Sequence, residues 1–283
     1  MIAGASGAIL KYGNPGPIND FLVRKAYVTA YDRRLRHPAW ASLVACFLSS
    51  AAEVDLHAAA ERGSRSLSKF RSDESIPAAF RSQLRDYFRS GYDRGHMVPA
   101  GDATFSQEAM DETFLLSNMA PQVGKGFNRG YWKLLEEWCR DLTNAFQDVF
   151  IFTIPLYLPS KDTDGKWRVK YEMIGNPPNV AVPTHFAKVI LTSRPSPSNS
   201  DVREISAGAF VLPNDVIDND KPLEDFVAHI DTVERAAGIT LFTEAVKSSS
   251  KPICQATECN LFARRSNAGR RTRAPVRRTD SAP

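Results

Sequence analysis

Gly91–Asp102 reads GYDRGHMVPAGD, and its DRGH core sets a carboxylate, a guanidinium and an imidazole side by side around a glycine. An ordinary imidazole, with a pKa of about 6.5, is largely neutral near pH 7 and can take a proton, so His96 is a candidate general base. Gly95 permits a backbone turn and a close approach that a bulkier residue would block. Downstream come TFLLSNMAPQ (113–122) and GFNRGYWKLLEEWCR (126–140). Thr113–Ser117 reads as a short strand. Asn128–Phe146 reads as a helix whose apolar stripe is Tyr131, Leu135, Trp138 and Leu142.

Working outward, Ile76–Arg89 places Phe80, Leu84, Tyr87 and Phe88 at helical spacing. Ala41–Lys69 reads as helix-permissive to Arg62 and then polar, a helix or nothing ordered. Four strand-like runs follow the central helix: Val149–Leu158, Trp167–Ile174, Thr184–Thr192 and Ser206–Leu212. Asp231 and Glu234 form a capping-box pattern before a short helix that Gly238 stops. The catalogue is mixed α+β.

With 43% apolar and 10% aromatic residues in 283, the chain has enough material for a sizeable core. The longest uncharged apolar stretch, Ala39–Ala52, is shorter than the ~20 residues that span a bilayer, so no integral membrane segment is expected. The net charge of +4 belongs to the end of the chain: residues 264–283 hold seven Arg and one Asp, leaving −2 on residues 1–263. That arginine-rich stretch, without apolar periodicity, reads as a disordered tail able to add phosphate contacts. Cys46, Cys139, Cys254 and Cys259 form neither paired zinc-ligand blocks nor a disulfide framework, which suits a reducing or mixed compartment. MIAGASGAILKYG shows no targeting pattern.

The stretches LKYGNPGP, FRSGYDRGHMVPAGDATFSQEAMDETFLLSNMAPQ, PLYLPSKD, IGNPPNVAVPTHFAKVIL, AFVLPN and ICQATECNLF resemble the DNA/RNA non-specific endonucleases of the ββα-metal (His-Me finger) type. Within them, the mitochondrial endonuclease G group is most similar, its fungal members above all. The resemblance implies an α+β fold with a central antiparallel sheet flanked by helices, spanning residues 1–263 as one endonuclease domain. It also implies Mg²⁺-dependent cleavage of DNA and RNA, with Mn²⁺ able to substitute, by a mitochondrial homodimer.

Phosphodiester hydrolysis needs a base for water, positive charge on the phosphoryl oxygens and help for the departing alkoxide. The resemblance gives the base to His96 and the metal to Asn128, whose side-chain carbonyl is a hard oxygen donor suited to Mg²⁺. Asn128 equally reads as the N-cap of its helix. Glu136 and Arg140 are read either as an i,i+4 ion pair or, by resemblance, as an aid to the metal's water shell and a phosphate holder. Arg94 is implied to hold backbone phosphate, Asp93 to brace the loop, and Asn118 to contact His96 or the metal's surroundings; Asp93, Asn118, Arg94 and Arg140 together form the expected nucleic-acid-binding set. His185 and His229 read as structural, and Arg33, Arg34 and Arg36 around His37 as phosphate contacts or solvated charge.

Relatives of this type follow the HPAW-like segment with a W-x-x-E-H-L-T strand, whereas Trp40 here precedes ASLVACFLSSAAEVDLHAAAERGSR. Residues 41–69 are thus expected to be a divergent, disordered segment, and a central strand is expected to be missing. Gly101 and Thr104 replace an expected Ala and Lys. Ile154 stands where T-G-P is usual, which puts the backbone before Pro155 in doubt. Two rival readings follow: a catalytically inactive nucleic-acid-binding paralogue, and a protein-interaction module that the −2 body charge favours.

Overall fold

The computed structural model describes residues 16–46 and 62–261. The N-terminal stretch, residues 47–61 and the tail reading at 264–283 lie outside them. Among the described residues, the largest element is an eight-stranded sheet in the order β1-β2-β3-β6-β11-β12-β13, with β14 also pairing with β12. Its members are β1 (Asn19–Val23), β2 (Val28–Asp32), β3 (His37–Cys46), β6 (Asp148–Leu156), β11 (His185–Ser196), β12 (Asn199–Pro213), β13 (Val227–Ala228) and β14 (Lys251–Pro252). All pairings are antiparallel except β12 with β14.

Alternation along the strands gives the sheet two apolar faces. On β11, Phe186 and Ile190 face one way and Ala187 and Val189 the other. The first face packs against helix α3 (Trp132–Asp141) through Trp132, Leu135, Trp138 and Cys139. The second packs against helix α4 (Ile230–Ala237) through Val233. Each large apolar side chain buried this way contributes roughly 1.5–3 kcal/mol, so both helices are held by the sheet.

β4 (Tyr92–His96) and β5 (Met119–Val123) form a separate antiparallel ribbon, with His96 opposite Met119 and Gly95 opposite Ala120. Two small ribbons, β7 (Ser160–Lys161) with β8 (Trp167–Arg168) and β9 (Met173–Ile174) with β10 (Val180–Ala181), lie between β6 and β11 in sequence. The remaining helices are α1 (Leu84–Tyr87), α2 (Gln107–Glu112), α5 (Glu244–Ser249) and α6 (Ile253–Ala256).

The structure corrects several expectations. Ala41–Cys46 is neither helix nor unordered: it continues β3, pairing from Ala41 opposite Thr153 to Cys46 opposite Asp148, so a central strand is present. Alternating Ala41 and Leu43, both buried, carry the pattern that any W-x-x-E-H-L-T text would have to supply. Ile154 keeps ordinary strand pairing opposite Ala187 and fills the core with no exposed surface. The helix expected over 76–89 is broken into a 3₁₀ turn (Ala78–Phe80) and the single turn α1. One tertiary bond and two local ones break it: the Ser82 amide donates to the Tyr31 hydroxyl, and the Arg81 side chain folds back to donate to the carbonyls of Ile76 and Glu74.

Thr113–Ser117 is not a strand. A 3₁₀ turn (Leu116–Asn118) leads into β5, because the Asn118 amide is bonded to the Thr113 and Val98 carbonyls. Trp167–Ile174 is two short strands rather than one. At α4 the N-cap is His229, and Glu234 accepts from the Leu241 and Phe242 amides instead of closing a capping box; Gly238 ends the helix at φ 70° as expected. Cys254 and Cys259 are joined in a disulfide, since the turn at α6 brings their Cα atoms to 5.2 Å.

Candidate active site

The helix expected over Asn128–Phe146 starts only at Trp132, with Tyr131 as its N-cap, and a 3₁₀ turn (Leu142–Asn144) follows it. Asn128 is therefore not the cap. It sits in an irregular passage, Gly124–Tyr131, where Gly126 has φ 87° and Gly130 has φ −132°, ψ −114°. Gly126 takes a left-handed conformation costly to other residues, which turns the chain so that Asn128 and Arg129 meet β4. The Asn128 side-chain amide donates to Asp93 at 2.8 Å, and Arg129 donates to both Asp93 oxygens at 2.6 and 2.7 Å. An ionised carboxylate only accepts, so the amide nitrogen must face Asp93 and the carbonyl oxygen is turned away from it. Asp93 is thus a brace that presents the Asn128 oxygen.

His96 is nearly buried, and its ring packs edge-on to Phe114 at 5.0 Å and beside Phe70 at 5.6 Å. Its Nε2 has no hydrogen-bond partner among the described residues. Burial among these rings, aided by the nearby Arg65 charge, pushes its pKa down to about 3, so the imidazole is neutral at physiological pH. Asn118 lies fully buried behind it: the Val98 amide donates to its side-chain oxygen at 3.0 Å and the Met97 amide to its backbone carbonyl at 2.9 Å. It therefore holds the chain after His96 and has no exposed surface of its own.

Gly95 does not take a left-handed conformation; its requirement is the close approach alone. A Cβ there would come within 2.1 Å of the Gln122 side chain, which is fully buried and cannot swing aside. Gly95→Ala is expected to destabilise the protein by about 1–3 kcal/mol, read as a lowered thermal midpoint.

Glu136 and Arg140 do not pair with each other. Arg140 donates to Asp102 at 2.8 Å, and Asp102, the last residue of GYDRGHMVPAGD, is almost fully buried. Burial raises the Asp102 carboxyl, opposed by the Arg140 charge. Burial likewise pushes Glu136 up to about 7, partly offset by Lys188, a buried lysine that donates to Thr153 at 2.8 Å and lies over the Trp132 ring. Asp102 and Lys188 were not legible as part of the site, because nothing in their local sequence announces the partner that makes each matter.

His96, Arg94, Asp93, Asn128, Glu136 and Arg140 line one cleft of about 1120 Å³. Arg129 and Lys133 add positive charge from the helix side, and Arg65, Arg85 and Arg89 from residues 65–89. The cleft is electropositive although residues 1–263 sum to −2. Arg94 lies over the Phe70 ring at 4.4 Å. Arg65 and Phe70 bring the end of the divergent stretch, and the residue following it, directly to the site.

His37, His185 and His229 lie outside this cleft. His37 is buried, shares a hydrogen bond of 2.5 Å with the Tyr157 hydroxyl and has its pKa lowered to about 4 by burial. Arg33 is paired with Asp20, and Arg36 with Asn179, away from the cleft. Both His37 and His96 titrate in the folded protein below the usual 6.5. Their stabilising effect is complete above that value and is lost as pH falls from it toward about 4 and about 3, the window in which the unfolded chain binds more protons than the folded one. Urea midpoints should fall between about pH 7 and about pH 5, and fall less steeply in His37→Gln.

Two antiparallel strands carrying the imidazole, followed by a helix entered through the asparagine, are the arrangement of a ββα-metal nuclease. The similarity extends to most of the chain: a model of the DNA/RNA non-specific endonucleases matches residues 5–248. The mitochondrial nuclease of Saccharomyces cerevisiae is 49% identical over 255 residues, covering 90% of this chain and 75% of that protein. Nuclease C1 of Cunninghamella echinulata var. echinulata is 48% identical over 256 residues, covering 90% and 95%. A chain from the crystal structure of the EndoG/EndoGI complex superposes with a TM-score of 0.74 at 44% identity, covering 87% of this chain and 95% of its own. The chain belongs to the DNA/RNA non-specific endonuclease family. It is a hydrolase that acts on nucleic acid with a divalent metal.

Proposed function

We propose that this endonuclease cleaves DNA and RNA by a single-metal mechanism with His96 as the general base and Asn128 as the protein's anchor for Mg²⁺. The observation that carries the reading is the pairing, in one cleft, of a neutral imidazole with an asparagine whose oxygen is turned away from Asp93. The donor set fits the ion: Mg²⁺ takes hard oxygen ligands and keeps most of its waters, so one amide oxygen with Glu136 nearby suffices. When bound, it supplies charge stabilisation at the phosphoryl group and at the leaving oxygen.

The chain's own groups do the rest. His96 accepts a proton from the attacking water on a ring nitrogen. Arg94 and Arg140 hold phosphate oxygens, Arg94 stacked on Phe70 and Arg140 steadied by Asp102. Glu136 orders the water around the metal site. No element reads base edges, so cleavage is taken as independent of sequence. The names of the relatives support a mitochondrial location, and the family resemblance implies a homodimer. The intact β3, and the delivery of Arg65 and Phe70 to the cleft, favour an active enzyme over the inactive paralogue.

Nicking of supercoiled plasmid is the test. Mg²⁺ should support it, EDTA abolish it, and excess Mg²⁺ or Mn²⁺ restore it. Nicking that survives EDTA would remove the metal from the mechanism, and tight binding without nicking would establish the inactive reading.

A further inference from the structure

Phe88 is the most exposed large apolar side chain among the described residues, at 70%, and it lines the same cleft as His96 and Asn128. Its neighbour Tyr87 is buried at 6% and anchors the single turn α1, which leaves Phe88 turned outward. The turn beyond it is fixed by two left-handed residues, Arg89 at φ 55° and Gly91 at φ 86°. A non-glycine residue held there is uncommon and persists where the surroundings over-determine it. The Arg89 guanidinium lies 5.0 Å from the centroid of the Phe88 ring, and Arg85 lines the cleft beside them. An isolated exposed aromatic needs no explanation. An aromatic held on the wall of a catalytic cleft, between two arginines, has the composition of a single-strand binding surface, where cations track the backbone and rings stack on bases.

We propose that Phe88 is a stacking platform for an unpaired base next to the scissile phosphate, so that the enzyme holds single-stranded DNA and RNA more tightly than duplex. The inference rests on the nuclease reading of the cleft and adds to it a preference in strand state. A base within a duplex already has both faces covered by its neighbours. An unpaired base gains the free face of Phe88, while Arg89 occupies the other and reaches for the adjoining phosphate. Stacking of this kind tolerates every base, so it discriminates strand state without reading sequence.

The test is binding in EDTA, where hydrolysis does not intervene, using a single-stranded oligonucleotide carrying 2-aminopurine and a duplex of the same sequence. Wild-type protein should quench the 2-aminopurine fluorescence. Phe88→Ala should lose the quench and bind the single strand about 5- to 100-fold more weakly, with duplex affinity changed less than about twofold. Phe88→Trp should retain both signals. Phe105→Ala, at an exposed phenylalanine outside the cleft, should behave as wild type. Absence of a quench in the wild type, unchanged single-strand affinity in Phe88→Ala, or an equal loss on duplex would each overturn the proposal. Failure of the nuclease reading shows separately, as wild-type protein that binds and never nicks plasmid in Mg²⁺.

Discussion

His96→Ala is expected to lower the rate of plasmid nicking by at least about 10²-fold, within the 10²–10⁴-fold range that a positioned general base contributes. DNA affinity should be nearly unchanged. The two quantities separate because different groups supply them: ground-state phosphate is held by Arg94, Arg140 and their neighbours, whereas proton removal falls to one imidazole. The ring also packs against Phe70 and Phe114, so the variant opens a small cavity, and its circular dichroism must match the wild type before the rate is read. Imidazole in solution should restore part of the activity, since it replaces the lost base in the space the side chain vacated. Near wild-type nicking by His96→Ala, in a preparation free of contaminating nuclease, would remove His96 from the mechanism.

Asn128→Ala should fail differently. It deletes the oxygen assigned to the metal, so half-maximal activity should need far more Mg²⁺, and added metal should recover part of the rate. The same addition should recover nothing in His96→Ala. Asp93→Ala extends the comparison, because Asp93 never touches the metal in this reading but holds the Asn128 amide at 2.8 Å. With that acceptor gone the amide is free to rotate, and the Mg²⁺ requirement should rise about 10- to 100-fold, the usual effect of losing a partner that orients a ligand. Activity titrations with Mg²⁺ on the three variants give the answer. An unchanged metal requirement in Asn128→Ala would assign the metal to other groups.

The disagreement between local text and structure follows a physical pattern. The apolar stripe of Tyr131, Leu135, Trp138 and Leu142 was legible because periodicity is an in-chain property, and all four are buried. The helix over 76–89 satisfied the same rule and still did not form, because the Ser82 amide is bonded to the distant Tyr31 hydroxyl and the Arg81 side chain folds back onto the Ile76 and Glu74 carbonyls. Ala41–Cys46 made the opposite error: short apolar and small residues permit either structure, and the unpaired edge of β6 decided for a strand. The charge balance misled for the same reason. A net charge is a sum over the chain, whereas a substrate meets only the arginines and the lysine that folding gathers into one cleft.

By itself the sequence determined the family, the α+β class, and the base and metal candidates, since DRGH, SNMAPQ and the Asn128 passage are short, contiguous and chemically specific. Only the tertiary structure decided that Asn118 stands behind the site, that Arg140 answers to Asp102 rather than Glu136, that Lys188 lies beneath the helix, and that Phe88 lines the cleft. Each of these depends on a contact between residues far apart in the chain or on the direction a side chain is turned. Such relations arise only when the sheet and its two covering helices close around a shared core.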